Sequence, residues 1–296
     1  MKKEIFRGVG TALVTPFKND KIDYTSLQKL IERQIECGAS ALIIGGTTGE
    51  TATLTDRERY SLYSFCKERI GGRVKLILGT GTNDTRLAVK HTAFASRLGC
   101  DGVLVVTPYY NKGTREGIIK HYLKVAYASD APVMLYNVPT RTGVSLDIPT
   151  LCELSRCENI VAIKEASDSQ DRLVALSAFG DELHLYAGND SATYSVLSLG
   201  GRGVVSVVSN LYPRETSEIT RLFFEGKREE SLAMQRRLLP MIESLFLETN
   251  PAPVKYAMSS AGLCRNDMRL PMWLPTAACQ RRINEEMKRL EEGVGK

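Results

Sequence analysis

The stretch IVAIKEA, residues 160–166, is a short apolar run rich in β-branched side chains. This composition is typical of a buried strand. Successive side chains on a strand point to opposite faces, so Lys164 shares a face with Ala162. Val161 and Ile163 then point the other way. The stretch therefore predicts a buried strand that carries a lysine near its carboxyl end.

A lysine beside small residues on an inner face loses solvent, and this loss disfavours the charged ammonium. A neutral amine can attack a ketone and form a Schiff base. The alternative is that Lys164 simply turns its charge into water at the end of the strand. The rest of the chain decides between these two interpretations.

Eight short apolar runs, IVAIKEA among them, alternate with segments of helical period. The predicted strands are Val9–Val14, Ala41–Gly45, Val74–Gly79, Gly102–Thr107, Pro132–Asn137, Ile160–Glu165, Leu183–Gly188 and Gly203–Val208. The predicted helices are Tyr24–Glu36, Thr55–Arg69, Asn83–Leu98, Thr114–Ala128, Ile148–Ser155, Ser169–Ala178, Ser191–Leu199 and Pro213–Phe224. This alternation predicts an α/β fold, a (β/α)8 TIM barrel.

A doubly wound open sheet is the alternative to the barrel. No Gly-x-Gly-x-x-Gly follows the first strand, which removes the commonest dinucleotide-binding form of that sheet. After the eighth helix, the segments Glu229–Leu247, Ala252–Gly262 and Thr276–Glu292 also have helical character. We therefore expect a catalytic barrel over residues 1–225 and a C-terminal helical region, 226–296, packed on it.

The composition is that of an ordinary globular chain, with 43% hydrophobic and 25% charged residues. The net charge is +5, but basic and acidic residues are interspersed, which argues against a nucleic-acid partner. The seven cysteines form no CxxC pattern, and the three histidines do not pair at ligand spacing, so we expect no metal. Neither a signal peptide nor a membrane span is indicated, and we expect a cytoplasmic protein with no membrane partner.

In a barrel of this kind the active site lies at the carboxyl ends of the strands. The second strand leads into GGTTGE, residues 45–50, where backbone amides and two hydroxyls can approach an anion. Tyr136, on the fifth strand, points inward if Val133 and Leu135 face the helices, and a tyrosine near an amine can move protons. Arg141, in the loop that follows, is suited to a carboxylate.

Each of these features also has an ordinary structural interpretation: a plain turn for GGTTGE, a core tyrosine for Tyr136 and a surface arginine for Arg141.

Several motifs together resemble one known family, the dihydrodipicolinate synthases (4-hydroxy-tetrahydrodipicolinate synthases) of the pyruvate-dependent class I aldolase superfamily. They are GTTGE at 46–50, YNVP at 136–139 with RTG at 141–143, and IKEA at 163–166. The resemblance continues into the tail, at ETNP (248–251) and PVK (253–255). It covers nearly the whole chain, and its motifs fall in order on the predicted strands.

The resemblance implies four catalytic residues. Lys164 corresponds to the lysine that forms the Schiff base with pyruvate, and Tyr136 to the proton donor and acceptor. Thr47 and Tyr110 correspond to a threonine and a second tyrosine that complete the proton route, the tyrosine reaching across from a neighbouring subunit. The resemblance thus implies a tight dimer, often assembled into a homotetramer.

The resemblance also implies four substrate-binding residues. Thr48 matches the residue that holds the pyruvate carboxylate, and Val205 and Gly188 match backbone positions that line the same pocket. Arg141 matches the arginine that receives the carboxylate of L-aspartate 4-semialdehyde. Pyruvate and this semialdehyde are the implied substrates, and no metal or organic cofactor is implied.

The chemistry of these residues agrees with an aldol condensation, which needs an amine, a base, a proton route and sites for two carboxylates. One alternative is a sister 2-keto acid aldolase such as N-acetylneuraminate lyase. Those enzymes typically have Ser-Thr where this chain has Thr47-Thr48, and they typically lack an arginine at Arg141. Another alternative is a catalytically silent paralogue that only binds small molecules.

Regulation is where the sequence departs from part of the family. Lysine-inhibited members use an asparagine and a tyrosine that match Asn83 and Tyr109. In several of them two histidines and a glutamate complete the effector pocket, and the matching residues here are Asp56, Arg59 and Leu87. Because apolar Leu87 cannot pair with an ammonium, we expect weak or absent inhibition by lysine.

Overall fold

The computed structural model describes residues 2–167 and 169–292. Within these residues, eight parallel strands close into a barrel in which each strand pairs with the next and the last pairs with the first. The barrel strands are β1 Gly8–Ala12, β2 Ala41–Ile44, β3 Lys75–Gly79, β4 Gly102–Val106, β5 Val133–Asn137, β6 Ile160–Glu165, β7 His184–Ala187 and β8 Gly203–Ser206. The closed barrel confirms the predicted TIM fold over the open sheet.

The predicted helices of the barrel are all present. They are α1 Tyr24–Glu36, α2 Asp56–Ile70, α3 Thr85–Arg97, α4 Arg115–Ala126, α5 Ile148–Leu154, α6 Gln170–Ser177, α7 Thr193–Ser198 and α8 Pro213–Phe224. At the start of α2, the Thr55 hydroxyl accepts a hydrogen bond from the Glu58 amide, and the Glu58 carboxylate accepts one from the Thr55 amide. This is the capping box that the sequence pattern indicates.

A small hairpin that the sequence analysis did not predict follows β1. Its strands, Phe17–Lys18 and Lys21–Ile22, have two residues each. Asn19 and Asp20 join them with φ of 52° and 61°, as a type I′ turn requires. Strands this short leave no periodic signal, so only the Asn-Asp turn could have indicated the hairpin.

Two layers of apolar side chains form the core. One fills the barrel interior and includes Met134, Tyr136 and Ala162, while the other lies between strands and helices and includes Val133, Leu135 and Ile163. Tyr136 therefore points inward, as the alternation along β5 predicts.

The prediction for Val161 was wrong, because Val161 packs in the interior cluster beside Ala162 instead of facing the helices. The ladder between β5 and β6 shifts at this point. Val133 pairs with Ile160 and Met134 pairs with Ala162, so Val161 has no counterpart on β5. An extra residue of this kind re-aims a side chain locally, and simple alternation cannot predict it.

The C-terminal tail forms three further helices, α9 Arg228–Ser244, α10 Ala252–Ser260 and α11 Ala277–Glu292. Helix α9 packs against α8 and α11, and α10 packs against α11. A division into two domains at residue 225 stays a prediction, and residues 293–296 of the proposed second unit lie outside the described residues. Among the helices described, none combines the length and the apolar character that crossing a membrane requires.

Candidate active site

A cavity of about 850 Å³ opens at the carboxyl ends of the barrel strands. Residues at or just beyond the ends of β2, β5, β6 and β7 line it, and so does the segment 246–250 after α9. Active sites of this fold lie at this end of the barrel. We call Lys164 and Tyr136 the inner wall of the cavity, and Arg141 with the segment 246–250 its rim.

The inner wall is formed by neighbouring strands. Lys164 on β6 and Tyr136 on β5 are partners in the ladder, and their side chains are only 5% and 6% exposed. The Lys164 Nζ atom lies 4.1 Å from the centre of the Tyr136 ring. The structure thus brings the predicted nucleophile and the predicted proton carrier into one desolvated space, where an amine and a phenol can exchange protons through a bound substrate.

Behind the inner wall, the outer faces of β5 and β6 are joined by Glu165. Its buried carboxylate accepts hydrogen bonds from Asn137 Nδ2 at 2.8 Å and from Arg172 Nε at 2.8 Å. Asn137 and Glu165 are also ladder partners. This network fixes the register of the two strands and so keeps Lys164 beside Tyr136.

The segment 45–50 after β2, here called the threonine turn, brings both predicted threonines to the cavity. Gly45 has φ of 72°, and a Cβ atom on Gly79 would lie 2.2 Å from the Gly45 carbonyl oxygen. Both positions therefore require glycine. Thr47 is half-buried, whereas Thr48 is buried and its Oγ1 accepts a hydrogen bond from Asn250 Nδ2 at 3.0 Å.

A buried ion pair fixes the far end of the threonine turn. Lys255 on α10 is fully buried, and its Nζ donates to Glu50 Oε1 at 2.5 Å and to the Thr15 carbonyl at 3.0 Å. Burial lowers the pKa of Lys255, and the negative charge of Glu50 opposes that shift. Both residues lie in quoted motifs, but 205 residues separate them, so their contact could not be derived from local spacing.

Asp190 is a site residue to which the sequence analysis gave no role. It follows β7, lines the cavity and is 2% exposed. Its Oδ2 accepts hydrogen bonds from the Val207 and Val208 amides at 2.9 and 3.1 Å. Burial raises the pKa of Asp190, while these amides, the Ser206 hydroxyl and the charge of Lys164 act in the opposite direction. Its position at the end of a barrel strand was the available signal.

Arg141 lies at the rim, as predicted. It belongs to a one-turn helix, Pro139–Thr142, that begins after β5, where the sequence analysis expected a loop. The side chain is exposed, lines the cavity and donates from Nη2 to the Asn250 carbonyl oxygen at 2.9 Å. The remaining guanidinium N–H groups can receive a carboxylate at the entrance.

Comparison with known proteins agrees with this geometry. A family model described as the dihydrodipicolinate synthetase family matches residues 5–290. The chain belongs to this family.

Relatives in the dihydrodipicolinate synthetase family match over almost the full length. The 4-hydroxy-tetrahydrodipicolinate synthase of Clostridium novyi (strain NT) is 45% identical over 90% of this chain and 91% of its own. Dihydrodipicolinate synthase from Thermotoga maritima, known from a crystal structure, has 40% sequence identity to this chain. The two structures superpose with a TM-score of 0.94, and the match covers 97% of this chain and 99% of that one. A monomeric dihydrodipicolinate synthase variant is also 40% identical, with a TM-score of 0.93 and 96% coverage of both chains.

Gly188 and Val205, the two residues whose backbone the resemblance implies for the pyruvate pocket, lie in different places relative to the cavity. Gly188 lines the cavity, and a Cβ atom there would lie 2.6 Å from the Glu165 carbonyl oxygen. Val205 is instead fully buried in the interior cluster, and Val207, two residues further on, lines the cavity.

Tyr110 is not brought to the cavity within this chain. Its side chain is 89% exposed, and its backbone has φ of 71°, an unusual value for tyrosine. Of the four catalytic residues that the family resemblance implies, Tyr110 alone lies outside the cavity lining.

Asp56, Arg59 and Leu87 occupy the positions that match the family's effector pocket. Asp56 accepts a hydrogen bond from Lys90 and pairs with His91 at 2.9 Å, while Arg59 donates to the Thr51 carbonyl at 3.0 Å. Leu87 is 41% exposed. The two charged residues therefore already bind other groups of this chain.

Proposed function

We propose that this protein is a lyase that condenses pyruvate with L-aspartate 4-semialdehyde to give 4-hydroxy-tetrahydrodipicolinate, in the diaminopimelate route to lysine. Membership of the dihydrodipicolinate synthetase family supports this reaction. The observation that carries it is the buried Lys164 beside Tyr136 in a cavity whose entrance holds Arg141.

Lys164 is the nucleophile of the proposed mechanism. After it loses its proton, the amine attacks the keto carbon of pyruvate and forms a carbinolamine. This carbinolamine takes up a proton, loses water and becomes an iminium. Loss of a methyl proton converts the iminium to an enamine, whose terminal carbon attacks the aldehyde carbon of the semialdehyde. The resulting alkoxide takes up a proton. The substrate's own amine then displaces Lys164 by transimination and closes the ring.

Protons move through hydroxyl groups in this mechanism. The ring of Tyr136 lies beside the amine, and Thr47 lines the same cavity. Together with Tyr110 they form the proposed proton route, which needs no metal or organic cofactor. General acid–base steps of this kind accelerate a reaction by about 10²–10⁴-fold.

The two carboxylates bind to different residues of the cavity in our proposal. Thr48, which is buried, binds the pyruvate carboxylate near Lys164. The backbone around Gly188 and Val207 completes that pocket, while Val205 lies buried in the interior cluster. Arg141 binds the carboxylate of the semialdehyde at the rim. A cationic group at the entrance favours an aldehyde that carries a carboxylate.

We also propose that the protein acts as a homo-oligomer, a tight dimer that assembles into a tetramer. An exposed Tyr110 outside the cavity of its own chain fits a residue that enters the site of a partner. Because a related variant is described as monomeric, the fold alone does not require the assembly. Sedimentation velocity on the full chain tests this oligomeric state. The cytoplasmic location of the protein stays a prediction.

The experiment that tests the function measures condensation of pyruvate with the semialdehyde in the wild type and in Arg141→Ala. We expect turnover in the wild type. The variant should need about 10–100-fold more semialdehyde for half-maximal rate, because a charged hydrogen bond is lost. Arg281→Ala, an exposed arginine on α11, is the matched control.

Trapping with borohydride and pyruvate separates the alternatives. An adduct on Lys164 without condensation would indicate a sister aldolase that uses another aldehyde. Absence of both adduct and turnover would favour the silent paralogue.

A further inference from the structure

Asn250 connects the two proposed carboxylate sites. It is 5% exposed, and its side-chain Nδ2 donates to Thr48 Oγ1 at 3.0 Å. Its backbone carbonyl accepts the hydrogen bond from Arg141 Nη2 at 2.9 Å. One residue of the tail thus contacts both the residue proposed to bind pyruvate and the residue proposed to bind the semialdehyde.

The direction of the hydrogen bond between Asn250 and Thr48 has a chemical consequence. A hydroxyl can donate one hydrogen bond and accept others, whereas an amide nitrogen such as Nδ2 only donates. In this contact the Thr48 oxygen must therefore be the acceptor. Its own hydrogen then remains available for a different partner, and a carboxylate is an acceptor that needs such donors.

We propose that Asn250 is a positioning residue that fixes the Thr48 hydroxyl as a donor toward the pyruvate carboxylate. This inference rests on the proposed function. The side chain of Asn250 acts on the pyruvate site only, since Arg141 is held by the backbone carbonyl, which every substitution retains.

The substitution Asn250→Asp reverses this arrangement with almost no change of shape. An ionised carboxylate only accepts hydrogen bonds, so Thr48 must donate to it. The hydroxyl then presents lone pairs to the substrate carboxylate instead of a hydrogen. We expect the pyruvate concentration for half-maximal rate to rise by about 10–100-fold, as for the loss of a hydrogen bond to a charged group. The value for the semialdehyde should change by less than about threefold.

Charge repulsion alone could also raise the requirement for pyruvate, and a double-mutant cycle with Thr48→Val distinguishes the two causes. If Asn250 acts through the hydroxyl, Asn250→Asp should cost much less in the Thr48→Val background than in the wild type. An equal cost in both backgrounds would overturn the proposal. So would a requirement for pyruvate that stays at the wild-type value in Asn250→Asp.

Two controls keep the outcome interpretable. Asn284→Asp makes the same chemical change on α11, where the amide of Asn284 donates a hydrogen bond to the Tyr256 hydroxyl, and it should leave both substrates unaffected. If Asn250→Asp does not fold, Asn250→Ala replaces it in the cycle. Asn250→Ala should raise the pyruvate concentration for half-maximal rate by a smaller factor, and this factor must be lower still in the Thr48→Val background. An equal factor in both backgrounds would contradict the proposal.

Borohydride trapping separates this inference from the proposed function. In the wild type, pyruvate and borohydride should modify Lys164, and Asn250→Asp should shift the pyruvate dependence of trapping to higher concentration. A wild type that forms no adduct and has no turnover would refute the function itself. A normal adduct in the wild type with an unshifted dependence in Asn250→Asp would refute only the role of Asn250.

Discussion

The inner wall and the rim of the cavity are built in different ways. Lys164 and Tyr136 are buried on adjacent strands, and the ladder of the barrel places them side by side. Arg141 is exposed, and its side chain donates a hydrogen bond to the backbone of Asn250, 109 residues away, at the entrance. The residues proposed for covalent chemistry thus depend on the barrel core, whereas those proposed for the second substrate depend on contacts with the tail.

This difference predicts two kinds of mutant. A change at the inner wall should remove the reaction while the barrel stays folded, because the strands are held by other contacts. A change where the tail meets the barrel should alter stability or substrate affinity while the amine stays reactive.

Loss of the Lys164 amine should have the largest effect. For Lys164→Ala we expect a fall in turnover of at least about 10⁴-fold, since removing the nucleophile of a covalent mechanism removes the whole pathway. No adduct should form with pyruvate and borohydride, as measured by intact-mass spectrometry. Lys120→Ala, an exposed lysine on α4, is the control. Turnover at the wild-type level in Lys164→Ala would refute the Schiff base.

The ion pair between Lys255 and Glu50 should dominate the junction of tail and barrel. For Lys255→Met we expect the free energy of unfolding to fall by about 3–5 kcal/mol, because Glu50 is left as an unpaired buried charge. Urea denaturation at pH 7 measures this. Adding Glu50→Gln should recover part of the loss. A fall in the free energy of unfolding of less than about 1 kcal/mol for Lys255→Met would show that the ion pair does not stabilise the threonine turn.

The buried Asp190 gives a pH-dependent test of the cavity wall. Because burial raises its pKa in the folded state, the folded protein binds this proton more tightly than the unfolded chain does. Stability from this group is present below the unfolded pKa near 3.8 and is lost as pH rises through the folded pKa. Asp190→Asn should therefore gain stability relative to the wild type between pH 4 and pH 7, which urea denaturation measures.

Glu291→Gln, an exposed carboxyl on α11, provides the baseline for that comparison. If the difference in free energy of unfolding between Asp190→Asn and the wild type does not change with pH, the raised pKa of Asp190 is contradicted.

Lysine should have the smallest effect, because the positions that match the effector pocket lie outside both the inner wall and the rim. Leu87 offers no group for an ammonium, and Asp56 already binds Lys90 and His91. We expect turnover to stay nearly constant when lysine is added up to the concentration of the substrates. Strong inhibition at low lysine would show that other residues form an effector site.

Much of the barrel could be predicted because its signals are local. Apolar runs followed by turn residues located the barrel strands to within one or two residues at each end, and α1 and α8 match their predicted limits. Alternation along the strand alone correctly predicted that Tyr136 points inward. It failed for Val161, because the direction of that side chain depends on a register shift between β5 and β6. The sequence of one strand does not reveal its register with the neighbouring strand.

In the candidate site, too, local features could be predicted from the sequence and long-range contacts could not. Lys164, Thr47 and Thr48 follow from their positions at strand ends. The contacts of Asn250 with Thr48 and of Lys255 with Glu50 join residues 202 and 205 positions apart, so no local pattern indicates them. The family resemblance included those tail motifs but gave no reason for them. The structure supplies the reason, since the tail holds the threonine turn.

The contact between the tail and the cavity also sets an order of events during synthesis of the chain. The ribosome releases Lys164 and the strands around it long before it releases Asn250 and Lys255. A chain that stops before Asn250 therefore carries the proposed nucleophile but lacks the residue that contacts both Thr48 and Arg141. Competence for the proposed reaction thus requires a chain that has been translated at least as far as Lys255.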